Sequence, residues 1–243
     1  MLPRPRRRFA CRRCLSYHRF VARTRIKICG ITRAEDARLA ALAGADAIGL
    51  VCHAASRRGV TLERAGQIVA AVGAFVTPVA LFVDAPVEQV WQTARQLGVG
   101  MVQLHGQETP QQVAALRGLR VIKAVRVRGG QLAGDLDEWR RAIGQLNLDH
   151  LVGLVLETDT PAAGGSGMAN DWQAIARCKQ AGAFEGLPAM IAAGGLRPDN
   201  VAAVVRLLGP WAVDVSSGVE SVFGQKSEAL VRQFIEAVRG ADA

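Results

Sequence analysis

The feature that most constrains the fold of this chain is an alternation repeated eight times from Arg25 onward. Short β-rich apolar runs take turns with Ala/Leu/Val stretches at helical spacing. The runs are RIKICG, DAIGLVC, TPVALFV, GMVQLHG, RVIKAVRV, LVGLVLE, LPAMIAAGG and WAVDVSSG. They are almost continuously hydrophobic, as expected for parallel strands covered on both faces. Between them, Ala34–Ala43, Leu62–Val72, Val87–Leu97, Pro110–Leu116, Trp172–Ala181, Asn200–Leu208 and Ser227–Val238 read as amphipathic helices. Thr32 and Thr61 are expected N-caps, and Thr109-Pro110 places a proline at a first helical position. Arg128–Leu148 is the weakest segment, because RGGQLAGDLDEW delays its helix. Eight strand–helix units within about 215 residues fit a closed α/β barrel, the (β/α)8 TIM-barrel architecture, better than an open doubly wound sheet. No linker interrupts residues 25–243, which form one expected domain.

The net charge of +9 is unevenly placed. Met1–Thr24 carries eight arginines and no acid; removing them from the 30 Lys and Arg leaves 22 against 21 Asp and Glu. The basicity therefore belongs to an N-terminal extension, 1–24, and gives the domain no nucleic-acid signature. This extension lacks the apolar stretch of a secretory signal and reads as disordered, or as the product of too early a start. Cys11-x2-Cys14 with His18 has the spacing of half a zinc site, but no second cysteine pair follows, and no metal is expected. The five cysteines are not framework-like, which suits a reducing cytoplasm. No apolar run reaches membrane-spanning length, so no membrane partner is expected.

In such a barrel, polar residues at the C-terminal ends of the strands build the site. Those ends offer Lys27 and Cys29, Cys52 and His53, Asp84, Gln103 and His105, Lys123 and Arg126, Glu157, and Asp214. By parity Lys27 and Cys29 share a face, so the ammonium would favour a thiolate and make Cys29 a base. Cys52 and Cys178 lack such a neighbour and read as packing residues. Gln103 and His105 likewise share a face. Asp214 is an acid inside an apolar strand and needs a partner or a role. Arg58, after the second strand, is suited to a substrate carboxylate. Three glycine-rich segments, GGSG (164–167), AGGL (193–196) and SSG (216–218), fall at successive late strand ends. Together they read as a phosphate cup, with Gly165, Ser166, Gly194, Gly195, Ser216, Ser217 and Gly218 as its members.

KICGIT, EDARLAALAGADAIGLV, VQLHG, TPAAGGSG, AGGLRPDNV and VDVSSGVE follow one another in an order that closely resembles the phosphoribosylanthranilate isomerases of tryptophan biosynthesis. The resemblance runs from about Arg25 to Val238, leaving the extension outside it. It implies a cofactor-free Amadori rearrangement of N-(5′-phosphoribosyl)anthranilate to 1-(o-carboxyphenylamino)-1-deoxyribulose 5-phosphate by a cytoplasmic monomer or homodimer. It also implies Cys29 as general base, an acid at the position of Glu157, Arg58 at the anthranilate carboxylate, and Asp214 near the amino and ribulosyl groups.

Two departures stand out. The family's acid is an Asp, whereas this chain has Glu157, with Asp159 two residues further on as an alternative donor. The stretch after strand 2 reads HAASRRG, keeping Ser56 and Arg58 without the family's prolines and aromatics, and Arg57 competes with Arg58. A histidine-pathway isomerase would do the same chemistry with two aspartates, and Cys29 argues against it. A nucleic-acid-binding protein acting through the Arg-rich extension is the rival of another class.

Overall fold

The computed structural model describes residues 23–158 and 170–242. Among them, eight parallel strands close in sequence order into a barrel: β1 (Arg25–Ile28), β2 (Ala47–Val51), β3 (Thr77–Phe82), β4 (Met101–Leu104), β5 (Arg120–Val127), β6 (Leu151–Thr158), β7 (Ala189–Ala193) and β8 (Ala212–Val215). Strand β8 returns to pair with β1, its Asp214 opposite Lys27. The helices are α1 (Ala34–Ala43), α2 (Leu62–Ala71), α3 (Val87–Leu97), α4 (Pro110–Ala114), α5 (Leu132–Leu146), α6 (Trp172–Gln180), α7 (Val201–Leu208) and α8 (Glu228–Asp242). Beyond β8 a small antiparallel hairpin, β9 (Glu220–Val222) with β10 (Gln225–Lys226), precedes α8. No described helix is long and apolar enough to cross a membrane. The Cys11, Cys14 and His18 spacing, the expected disorder of the extension, Asp159, Gly165 and Ser166 lie outside the described residues.

The period-two rule explains the two cores. Ile26, Ile28, Ile48, Leu50, Phe82, Leu104 and Leu154 face outward into the main core under the helices. Val79, Ile122, Ala124, Val155, Ile191 and Ala212 face inward and fill the barrel. One layer higher, Cys29, Val51 and Leu81 form a small apolar floor with Val83.

Several helix starts follow their residues. The Thr61 hydroxyl accepts from the Arg64 N–H, and Thr109 and Gln112 form a reciprocal capping box with Pro110 at the first position. Asp171 caps α6 through the Ala174 N–H. Thr32 does not cap α1. Arg33 occupies that position without a side-chain bond, and the Thr32 hydroxyl instead donates to the Gly224 carbonyl at 2.5 Å. The Arg128–Leu148 segment resolves into a 3₁₀ turn at Gly129–Gln131 followed by α5. Arg23 and Thr24 are already part of the barrel's lower rim: Thr24 bonds Asp242 and Arg23 pairs with Asp46.

Candidate active site

A cavity of about 500 Å³ opens at the C-terminal ends of the strands. Its walls include Cys29, Arg58, His105, Glu157, Asp214 and the backbone of residues 194–195 and 216–218. Lys27 and Gln103 lie just beneath, fully or nearly fully buried.

On the β1 side, Lys27 Nζ donates to Asp214 Oδ2 at 2.7 Å, the pairing that the β1–β8 register places side by side. Both side chains are buried, so the two charges neutralise each other where water cannot. A Cβ on Gly49 would lie 2.6 Å from the Cys29 sulfur and 3.1 Å from Lys27 Nζ. The missing side chain at Gly49 is therefore what lets Lys27 and Cys29 occupy one pocket. Burial pushes the Cys29 thiol up; Lys27 pulls it down, Asp214 opposes Lys27, and the balance is a pKa above the ordinary thiol value. The expected activation by Lys27 is present but does not win, because burial disfavours the thiolate more strongly and the Asp214 charge adds to that. For Lys27, burial lowers the ammonium's pKa, but Asp214 and Cys29 more than compensate and the net shift is upward.

On the opposite wall, three residues form a chain across β4 and β6. The Gln103 amide donates to His105 Nδ1 at 2.9 Å, which leaves the ring proton on Nε2. That nitrogen meets a carboxylate oxygen of Glu157. Glu157 is thus held by its neighbour two strands away. Arg126 is its register partner on the intervening strand. The floor between the two walls is Val51, Leu81 and Val83.

The glycine-rich ends behave as a cup. Gly194 and Gly195 have φ of +93° and +63°. A Cβ on Gly194 would meet Thr158 Oγ1 at 2.6 Å, and one on Gly218 would sit 1.9 Å from the Leu196 carbonyl oxygen. Among the described residues, no protein group accepts from the N–H of Gly195, Ser217 or Gly218. Three unspent donors around one hollow suit a phosphate.

Arg58 and Arg57 separate clearly. Arg58 is buried, its stem crossing above Gly30, and it pairs with Glu220 on β9, while Arg57 is exposed. Lys123, by contrast, points outward. Its neighbours Ile122 and Ala124 face the barrel interior, so the period-two rule turns Lys123 outward, where it is buried between barrel and helices on Glu108 Oε2 at 3.0 Å. Glu108 also accepts from the Asp84 and Gly106 N–H groups. That clasp ties β5 to the segments that follow β3 and β4, on the outer side of the barrel wall.

Sequence reasoning missed Glu108, Asn170, Glu220, Phe223 and Lys226. Asn170 is buried and bonds the Leu156 and Ala193 carbonyls, stitching β6 to β7 beside Gly194. Its signal was its place directly before the α6 cap in AND-W. Glu220 closes the VSSGVE motif at the end of β8, and that position was the available clue.

The family model described as N-(5'phosphoribosyl)anthranilate (PRA) isomerase matches residues 26–237. The chain belongs to this family. The match spans the whole barrel and all the cavity's described walls. An N-(5'-phosphoribosyl)anthranilate isomerase of Herminiimonas arsenicoxydans is 41% identical over 229 residues, covering 92% of this chain and 96% of the relative. Among solved structures, the phosphoribosyl anthranilate isomerase of Thermus thermophilus superposes with a TM-score of 0.75 at 35% identity, covering 89% of this chain and 99% of that one. A phosphoribosyl anthranilate isomerase in complex with reduced 1-(o-carboxyphenylamino)-1-deoxyribulose 5-phosphate gives a TM-score of 0.73 at 31% identity, with the same coverage. Every site residue described above, from Lys27 to Lys226, lies inside the family match.

Proposed function

We propose that this chain is a cytoplasmic enzyme of tryptophan biosynthesis that converts N-(5′-phosphoribosyl)anthranilate to 1-(o-carboxyphenylamino)-1-deoxyribulose 5-phosphate, with Cys29 as general base and Glu157 as general acid. The observation that carries this reading is that a thiol and a carboxylate line one cavity, on strands three places apart around the barrel, with a cup of unspent backbone donors between them.

The phosphate seats on the N–H groups of Gly195, Ser217 and Gly218, which fixes one end of the substrate. The aromatic ring lies against Val51, Leu81 and Val83, and its carboxylate meets Arg58. This arrangement sets the ribose between Cys29 and Glu157. Glu157 protonates the furanose ring oxygen, the ring opens, and the nitrogen lone pair forms the Schiff base. The Cys29 thiolate then removes the C2′ proton, giving an enolamine that tautomerises to the ketone. Burial makes the thiolate scarce but also a stronger base, and Lys27 is close enough to steady it. Asp214 keeps Lys27 charged and in place, and lies beside the amino and ribulosyl groups.

The test is turnover followed by loss of anthranilate fluorescence, with binding of the reduced product measured in parallel. Cys29→Ala and Glu157→Gln should each abolish turnover while leaving that binding intact. Turnover surviving in Cys29→Ala would overturn the assignment.

A further inference from the structure

The β9–β10 hairpin follows the phosphate cup after β8 and reaches the loop after β2, on the other side of β1. Its turn is moored by the Thr32 hydroxyl on the Gly224 carbonyl, and its second strand by the Lys226 N–H on Asp36 Oδ2 at 3.1 Å. The Phe223 ring carries two guanidinium groups, its centroid 3.8 Å from Arg57 Cζ and 4.2 Å from Arg58 Cζ. Glu220 accepts from Arg58 Nε and Nη2, both at 2.8 Å, and from Lys226 Nζ at 2.9 Å. The Lys226 side chain is fully buried, and its ammonium also donates to the Ser216 carbonyl at 3.0 Å.

A guanidinium has five N–H groups arranged as two bidentate edges. Glu220 takes the Nε–Nη2 edge, so the Nη1–Nη2 edge stays available for a second carboxylate. No protein acceptor takes Arg58 Nη1 among the described residues. The charge count works in the same direction: one carboxylate shared by two cations leaves a net positive charge at the rim. A lone Arg58–Glu220 pair would be neutral and would offer an incoming anion far less.

We propose that Glu220, backed by Lys226, is the positioning residue that holds Arg58 edge-on for the substrate's aryl carboxylate. The hairpin is then part of specificity and not only a covering. This rests on the reading of the cavity given above, in which Arg58 receives that carboxylate.

Two probes test it by calorimetric titration: reduced 1-(o-carboxyphenylamino)-1-deoxyribulose 5-phosphate and its phenylamino counterpart without the carboxylate. The quantity read is the ratio of the two Kd values. Glu220→Gln should shrink the wild-type preference for the carboxylated probe by on the order of tenfold, from misplacement of the guanidinium alone. It should leave affinity for the other probe unchanged. Glu220→Asp keeps the charge on Lys226 but draws the carboxylate back by about 1.5 Å, and should show a smaller loss of preference. Should Glu220→Gln fail to fold, Glu220→Asp decides by itself. Equal weakening of both probes, or an unchanged preference in the folded variant, overturns the proposal and leaves a merely structural tie. Arg58→Gln separates the two levels. If it abolishes the preference while the Glu220 variants do not, the cavity reading stands and the positioning role falls. If Arg58→Gln leaves the preference intact, the placement of the carboxylate on Arg58 falls and the proposal falls with it.

Discussion

Replacing Glu157 by Asp shortens the side chain by one methylene and draws its carboxyl back by about 1.5 Å toward the β6 backbone. In this structure the carboxylate spans from β6 toward β4 and meets His105 Nε2, whose own orientation is set by Gln103. The aspartate cannot keep that contact without moving the strand, and β6 is anchored on both sides by β5 and β7. A displacement near 1 Å at a reacting group costs on the order of 10²-fold in rate, or ~2.7 kcal/mol. With Glu157 as the proposed acid, Glu157→Asp should therefore lower kcat about 10²-fold with KM little changed, since a proton donor contributes to the transition state and not to ground-state binding. Glu157→Gln should remove turnover altogether, and Asp159→Asn should do modest harm. The measurement is steady-state kinetics by anthranilate fluorescence on all three. Wild-type kcat in Glu157→Asp would show that the His105 contact is dispensable. A larger loss in Asp159→Asn than in Glu157→Gln would move the acid to Asp159.

Burial holds the Cys29 thiol above its ordinary pKa, so the thiolate fraction must still be rising at neutral pH. Iodoacetamide labelling of Cys29, followed by peptide mass spectrometry, should climb with pH through 8 without levelling; a plateau below pH 8 refutes the raised value. Cys52, pushed up to about 11 by burial, is the internal comparison. Lys123→Met should cost ~3 kcal/mol in urea unfolding at pH 7, because it strands the buried Glu108 carboxylate. A loss below about 1 kcal/mol would mean that the backbone donors satisfy Glu108 unaided. Gly218→Ala must displace the Leu196 carbonyl, and should raise KM about tenfold by moving cup donors with circular dichroism unchanged. An unchanged KM would take the phosphate away from that segment.

The barrel was readable because each strand is covered on both faces, which turns buried position into an uninterrupted apolar run. Parity then placed Lys27 with Cys29 on one face and Gln103 with His105 on one face, and the barrel makes both faces inward. The same parity shows why Lys123 and Arg126 cannot both face the cavity, but it could not say which one does. The closed barrel decides that: Ile122 and Ala124 pack inside it, which turns Lys123 out to Glu108, a partner fifteen residues away in sequence. Thr32 looked like a cap because it precedes a helical run; its hydroxyl is instead drawn to a carbonyl 192 residues away. Glu220 was invisible as Arg58's partner for the same reason, at a separation of 162 residues. The direction of the Cys29 shift also depends on assembled surroundings. Lys27 is a neighbour in sequence, whereas the burial and the Asp214 charge that outweigh it arise only when the barrel closes.

That closure has a temporal consequence. Lys27 and Asp214 are 187 residues apart, and their pairing is the seam at which the first strand meets the last. A nascent chain has made Lys27 and Cys29 long before Asp214 exists. Until the final strand emerges, the ammonium has no counter-charge and the thiol has no enclosed pocket. The pocket that encloses Cys29 is therefore among the last features of the protein to be assembled, and any fragment ending before β8 lacks its Asp214 wall.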